Sequence, residues 1–352
     1  MLAVRIFLIP ALIGIGPIIL ALIWMLKDQK DKIRAQLVIA LILNFFYGLL
    51  LEIFMGHEGS LLPWKYDNIL LHIDASLGIR AIAVAGHLPG FLHEPLWIIY
   101  EMMLPMMIAW IFVASHSRFS GSIILAYVAE LVTAPLIYTI VPACGPGWAF
   151  GKQWLSPPAV AAVPVRLTGD PNAFPSLHVA TAFLFVLYAP GRLWKTVAIL
   201  FFAGTCLATL STGEHYVIDM IPGLAFGAFA AAFGFGQRKR ARFFLAVVLF
   251  WSLLVRFSHA FLIANPIVIR SLALITLALV ALLLWDVWRA APPTQDSRIE
   301  SNRSMPCVEV GSAYSGFAVT VSRSHDRQVD FSSRKIHPPL RPETATPTAK
   351  PL

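Results

Sequence analysis

Nine stretches of this chain are apolar over roughly the length needed to cross a bilayer: 5–26, 35–55, 95–115, 121–142, 176–191, 196–212, 217–236, 243–264 and 267–288. A hydrocarbon core about 30 Å thick takes about 20 helical residues, and within it every peptide group must be satisfied by the protein itself. The fold class that follows is all-α, a polytopic membrane helical bundle. Charge content agrees: 58% of the residues are apolar and 13% charged, too few charges for a soluble domain of 352 residues. The fifth and sixth stretches are short and are expected to extend into their flanks. The last two are divided by Asn265-Pro266, read as a tight turn. The first is read as a retained span, because it is too long for a signal core and lacks a small-residue cleavage site.

Basic residues orient the bundle. One set of loops holds Lys27, Lys30, Lys32, Arg34, Arg118, Arg192, Lys195, Arg238, Lys239, Arg240 and Arg242. The other holds Arg5, Lys65, Arg80, Lys152 and Arg166. The richer set is assigned to the cytoplasm. The net charge of +8 thus reflects cytoplasmic loops and a basic tail, not a nucleic-acid partner. Cys144, Cys206 and Cys307 are too few and too scattered for a disulfide framework.

Four regions are expected. Residues 1–94 hold the N-terminal spans and an outer loop, 56–94, that lies in the membrane interface. Residues 95–236 form the catalytic core, and 237–289 the C-terminal spans. Residues 290–352, rich in Ser, Thr, Pro and Arg, form a disordered cytoplasmic tail.

The chemistry concentrates between Asp170 and Gly223. Asn172-Ala-Phe-Pro-Ser-Leu-His178 opens one apolar segment, and Thr212-Gly-Glu-His-Tyr-Val-Ile-Asp219 opens another. Two intervening crossings bring His178, His215 and Asp219 to one side of the membrane, the outer one. His215 and Asp219 are i and i+4, on one helical face, so the carboxylate can accept the Nδ1–H and leave Nε2 as a nucleophile or base. Ser176 can cap the helix that begins beside His178, where free N–H groups attract an anion. Phosphoryl transfer through a phosphohistidine needs this set: His215 attacks, Asp219 stabilises the imidazolium, and His178 protonates the leaving oxygen. No metal or other cofactor is required. Taken singly, each histidine is more often an ordinary interfacial side chain; it is their joint occurrence with Asp219 that points to a site. Tyr216 reads as an interface residue. The Met102, Met103, Met106, Met107 cluster reads as helix packing. Arg256 and His259 share a face and read as packing groups, with Glu52, Glu101 and Glu130 as interior partners of such charges.

Pro175-Ser-Leu-His178 together with His215-Tyr-Val-Ile-Asp219 resembles the type-2 phosphatidic acid phosphatase superfamily. Within it the chain is most similar to the branch of inositolphosphoryl ceramide synthases and bacterial inositolphosphotransferase-like membrane proteins. Pro142-Ala-Cys-Gly-Pro146 resembles the first motif of that branch. The resemblance implies a six-helix phosphatase-type core and a lipid phosphate or phospholipid substrate, in a bacterial inner membrane with the site facing the periplasm. It also implies a phosphate clamp, for which Ser176, Lys152 and Arg166 are the outer-side candidates. The sequence departs from the pattern at four points: Thr209 stands where the phosphatases carry an arginine, Leu177 where they carry glycine, Gly147 where related bacterial sequences often carry arginine, and the first phosphatase motif, a lysine followed at fixed spacing by Arg-Pro, is not found. These departures lean toward a phosphotransferase. Two other readings compete: a lipid or solute transporter, and a catalytically silent member acting as a membrane partner.

Overall fold

The computed structural model describes residues 61–289, apart from 116, 118 and 120, together with residue 38. The expected spans at 5–26 and 35–55, Glu52, the first cytoplasmic basic cluster and the tail from 290 lie outside the described residues.

Eleven α-helices are present among them. They are α1 (Asp67–Leu77), α2 (Ala81–His87), α3 (His93–Glu101), α4 (Met103–Ser115), α5 (Ser122–Tyr138), α6 (Pro146–Phe150), α7 (Leu177–Tyr188), α8 (Gly191–Ser211), α9 (Val217–Gly234), α10 (Arg238–Ala264) and α11 (Pro266–Arg289). Four of these, α8 to α11, are long and apolar enough to cross a membrane, and up to six spans result if each bent pair, α1 with α2 and α3 with α4, counts as one. The all-α membrane architecture expected from the apolar runs is therefore observed, and α10 and α11 do part at Asn265.

Two helices form the centre. Every residue of α7 from Val179 to Tyr188 is buried, and 78% of the spanning window of α9 is buried, against 28% for α8, α10 and α11. A helix surrounded by protein need not match the bilayer thickness, which accounts for α7 having only 12 residues. α7 and α9 approach closely because α9 carries glycine at i and i+4. A Cβ on Gly223 would lie 2.7 Å from the Ser176 carbonyl oxygen, and one on Gly227 would lie 2.6 Å from that of Ala180. Small residues four apart let two backbones meet in a membrane, where packing rather than the hydrophobic effect joins helices. This contact sets the ends of α7 and α9 side by side, with His178 on one and Asp219 on the other.

One expectation is corrected. The stretch 95–115 is not one straight span: α3 and α4 meet at Met102 with a bend of 56°. Pro105 is the physical reason, since it has no N–H to give the Glu101 carbonyl and crowds it. α1 is packed into the protein, with Ile69, Leu70 and Ile73 fully buried, and turns by 74° into α2. These three side chains join Phe174, Tyr216, Ile218 and Trp251 in an apolar cluster beneath the outer loops. A two-residue antiparallel ladder, β1 (Trp64–Lys65) with β2 (Val165–Arg166), ties the two long loops together.

Candidate active site

Three loops converge where α7 and α9 begin. The 142–147 turn packs on the 212–216 loop: the Gly147 N–H donates to the Gly213 carbonyl at 2.6 Å. Gly145 has φ 87°, and a Cβ there would collide with the Glu214 backbone, so only glycine fits. The Ala173 N–H donates to the Ala143 carbonyl at 2.9 Å, which adds the segment leading into α7. Ser176 caps α7 as expected, its Oγ accepting from the Val179 N–H at 3.4 Å, while its own N–H donates to the Asp219 carbonyl at 3.1 Å.

The two histidines meet. Their ring centroids are 5.9 Å apart at an interplanar angle of 65°. Tyr100 stacks on the other face of His178 at 4.0 Å and 19°, fixing the imidazole plane. Both histidines line a cavity of about 180 Å³, with Tyr100, Tyr127, Tyr138, Asn172 and Thr181 as polar wall and Met103, Leu104, Met107 and Leu177 as apolar wall. Met103 and Met107 are thus cavity residues as well as packing groups. No lysine or arginine is among the lining residues.

His215 is held differently from the simple pairing that i, i+4 spacing suggests. Its Nδ1 lies 2.8 Å from the Ala173 carbonyl oxygen and 3.6 Å from Asp219 Oδ2. A carbonyl only accepts, so Nδ1 carries the proton and Nε2 keeps its lone pair. Asp219 Oδ2 instead accepts the Tyr216 N–H at 2.8 Å, the capping bond of a carboxylate in the first turn of a helix. It stays beside the ring, 3.6 Å from Nδ1, without being its hydrogen-bond acceptor. Burial pushes the His215 pKa down to about 4, with the Ala173 bond and the neighbouring Glu214 charge working against that shift.

The remaining expected residues scatter. Lys152 and Arg166 are exposed and outside the cavity lining. Thr209, at the position of the family arginine, is buried with its hydroxyl donated to the Cys206 carbonyl at 3.0 Å, while its own carbonyl accepts from the His215 N–H at 3.3 Å. Among the described residues Glu130 has no cationic partner: its Oε2 accepts from Thr181 Oγ1 at 3.0 Å, and its Oε1 has no hydrogen bond. Arg256 pairs with no carboxylate among the described residues either, donating to the Ile140 carbonyl at 3.1 Å with its guanidinium over the Tyr66 ring. Tyr216 is not an interface residue but fully buried, its hydroxyl 3.1 Å from Asp67 Oδ1. Tyr100 carries no mark in the sequence. Thr181 does carry one, since it follows His178 by three residues and so shares its helical face.

The model of the PAP2 superfamily matches residues 68–233. All three loops, α7, α9 up to Phe233 and both histidines lie inside that match. The PAP2 superfamily match supports a phosphatase-type function on lipid phosphates in an integral membrane protein. Searches of the curated proteins and of the solved structures found no match.

Proposed function

We propose that this chain is a lipid phosphotransferase or lipid phosphate phosphatase working through a phosphohistidine at His215, on the outer face of the membrane. The observation that carries the proposal is the pair of imidazoles sharing one cavity, with the Nδ1–H of His215 committed to Ala173. Nε2 of His215 attacks phosphorus, the bond from phosphorus to the leaving oxygen breaks, and His178 delivers a proton to that oxygen. The acceptor, water or a lipid or polyol hydroxyl, then returns a proton to His178 as its oxygen displaces Nε2. Leu177 and His178 open α7 and line the cavity, and their first-turn N–H groups are suited to hold the phosphoryl oxygens, with Ser176 capping the helix behind them. Lys152 and Arg166 act, in this proposal, on headgroups arriving from the outer surface. The methionine and leucine wall suits an acyl or prenyl chain.

The test is turnover in liposomes containing phosphatidic acid or phosphatidylinositol, reading phosphate release and new lipid products together. Released phosphate identifies hydrolysis, and a new phospholipid identifies transfer. No product from either lipid would remove the proposal.

The pH profile offers a separate check. The reacting form of His215 is neutral, and its pKa of about 4 lies below the ordinary 6.5. The acid limb of kcat/KM belonging to this residue is therefore expected near pH 4. The sign for stability follows by linkage: between those values the unfolded chain binds a proton that the folded one refuses, so stability is lost as pH falls from 6.5 toward 4. A limb between pH 6 and 7 that disappears on replacing His215 would contradict a desolvated nucleophile.

A further inference from the structure

We propose that Asp67 and Asp74, two turns apart on α1, are positioning residues that hold the His215 loop and the start of α9 in register with the rest of the site. The inference rests on the phosphohistidine reading above. Asp67 receives three donors: the Cys144 N–H at 3.1 Å, the Gly145 N–H at 2.9 Å and the Tyr216 hydroxyl at 3.1 Å. One carboxylate thus joins the 142–147 turn to the residue that follows His215. Asp74 receives the Val217 and Ile218 N–H groups, each at 2.9 Å, with the Ala81 N–H at 3.5 Å. Those two amides open α9, and they would otherwise be left without partners at a buried helix end. Both carboxylates are buried, at 0% and 1% exposure, so removing an acceptor leaves donors that water cannot readily serve.

The spacing explains why one helix can do both tasks. Residues seven apart lie on nearly the same face of a helix, separated by about 10 Å. The fully buried Leu70 lies between them on that face, and Trp251 and Ile221 fill the same apolar cluster. α1 therefore acts as a splint. Its apolar face seats it in the core, and its two carboxylates take the backbone donors of elements that carry the reacting groups. The catalytic groups themselves touch neither aspartate: the influence runs through Tyr216, which adjoins His215, and through the first turn of α9, which carries Asp219.

Asp67→Asn and Asp74→Asn test this with almost no change in volume, because an amide replaces one accepting oxygen with a donor facing other donors. On phosphatidic acid in liposomes each variant is expected to lose roughly 10²-fold in kcat, with KM within about twofold of the parent. Hydrogen exchange should quicken at 142–147 and 212–218 while α10 and α11 keep their protection. Tyr216→Phe, which removes a single bond to Asp67, should give a smaller loss of the same kind. Parent-like kcat in both aspartate variants would overturn the proposal. So would a loss of kcat accompanied by faster exchange throughout the bundle, which would make the residues general scaffold. If the parent protein does not turn over phosphatidic acid, the functional reading fails on that substrate and exchange alone decides: unaltered protection at 142–147 and 212–218 would overturn the splint.

Discussion

Replacing His215 with alanine is expected to cut lipid phosphate turnover by about 10³-fold or more and to abolish trapping of radiolabelled phosphate on the protein. The size follows from the role. Nε2 is the one atom of His215 free to bond phosphorus, because Nδ1 is spent on the Ala173 carbonyl at 2.8 Å. Replacing His178 should cost roughly 10²–10⁴-fold on a lipid substrate, the range for a lost general acid. The two variants differ in what rescues them. A substrate with an activated leaving group, such as p-nitrophenyl phosphate, needs no proton on departure and should restore most of the His178→Ala rate in the first step. It should do nothing for His215→Ala. Equal rescue of both would dismiss the assignment of roles, and unchanged turnover in His215→Ala would dismiss the covalent mechanism.

Much of this molecule is written locally. Spans α8 to α11 are apolar over spanning lengths, and lipid admits only helices for such runs. His178 and His215 sit in short motifs at helix ends, so that knowing the helices is enough to place them on one side. What stayed hidden depends on partners distant in the chain. Asp67 and Asp74 belong to no motif: apart from the Ala81 N–H, the donors they meet lie 77 to 149 residues away, and most are backbone amides that carry no side-chain signature. Spacing alone paired Asp219 with His215, yet Asp219 is in the first turn of α9 and its oxygen is closer to the Tyr216 N–H. Glu130 was expected to meet a cation and meets the hydroxyl of Thr181, 51 residues on. The break between α3 and α4 has Pro105 as its mark in the sequence, set inside a run that is apolar on both sides.

The last consequence concerns the glycines of α9, and here the sign of the effect is diagnostic. Glycine inside a helix is normally a weakness, and alanine in its place gains up to about 1 kcal/mol. Gly86 in α2 has nothing within 4 Å of the position a Cβ would take, so Gly86→Ala should leave stability level or raised. Gly227→Ala should do the reverse. Its Cβ would lie 2.6 Å from the Ala180 carbonyl oxygen, a backbone atom that cannot swing aside, so α7 and α9 must separate. Overpacking of this kind costs about 1–3 kcal/mol, enough to exceed the propensity gain, and Gly227→Val should cost more. Separation would also widen the gap between His178 and His215, because the same contact sets the register of the helix ends that carry them. Thermal unfolding in detergent micelles and turnover should therefore fall together in the Gly227 series. A Gly227→Ala protein as stable and as active as the parent would mean that the close approach of α7 and α9 is not what assembles the site.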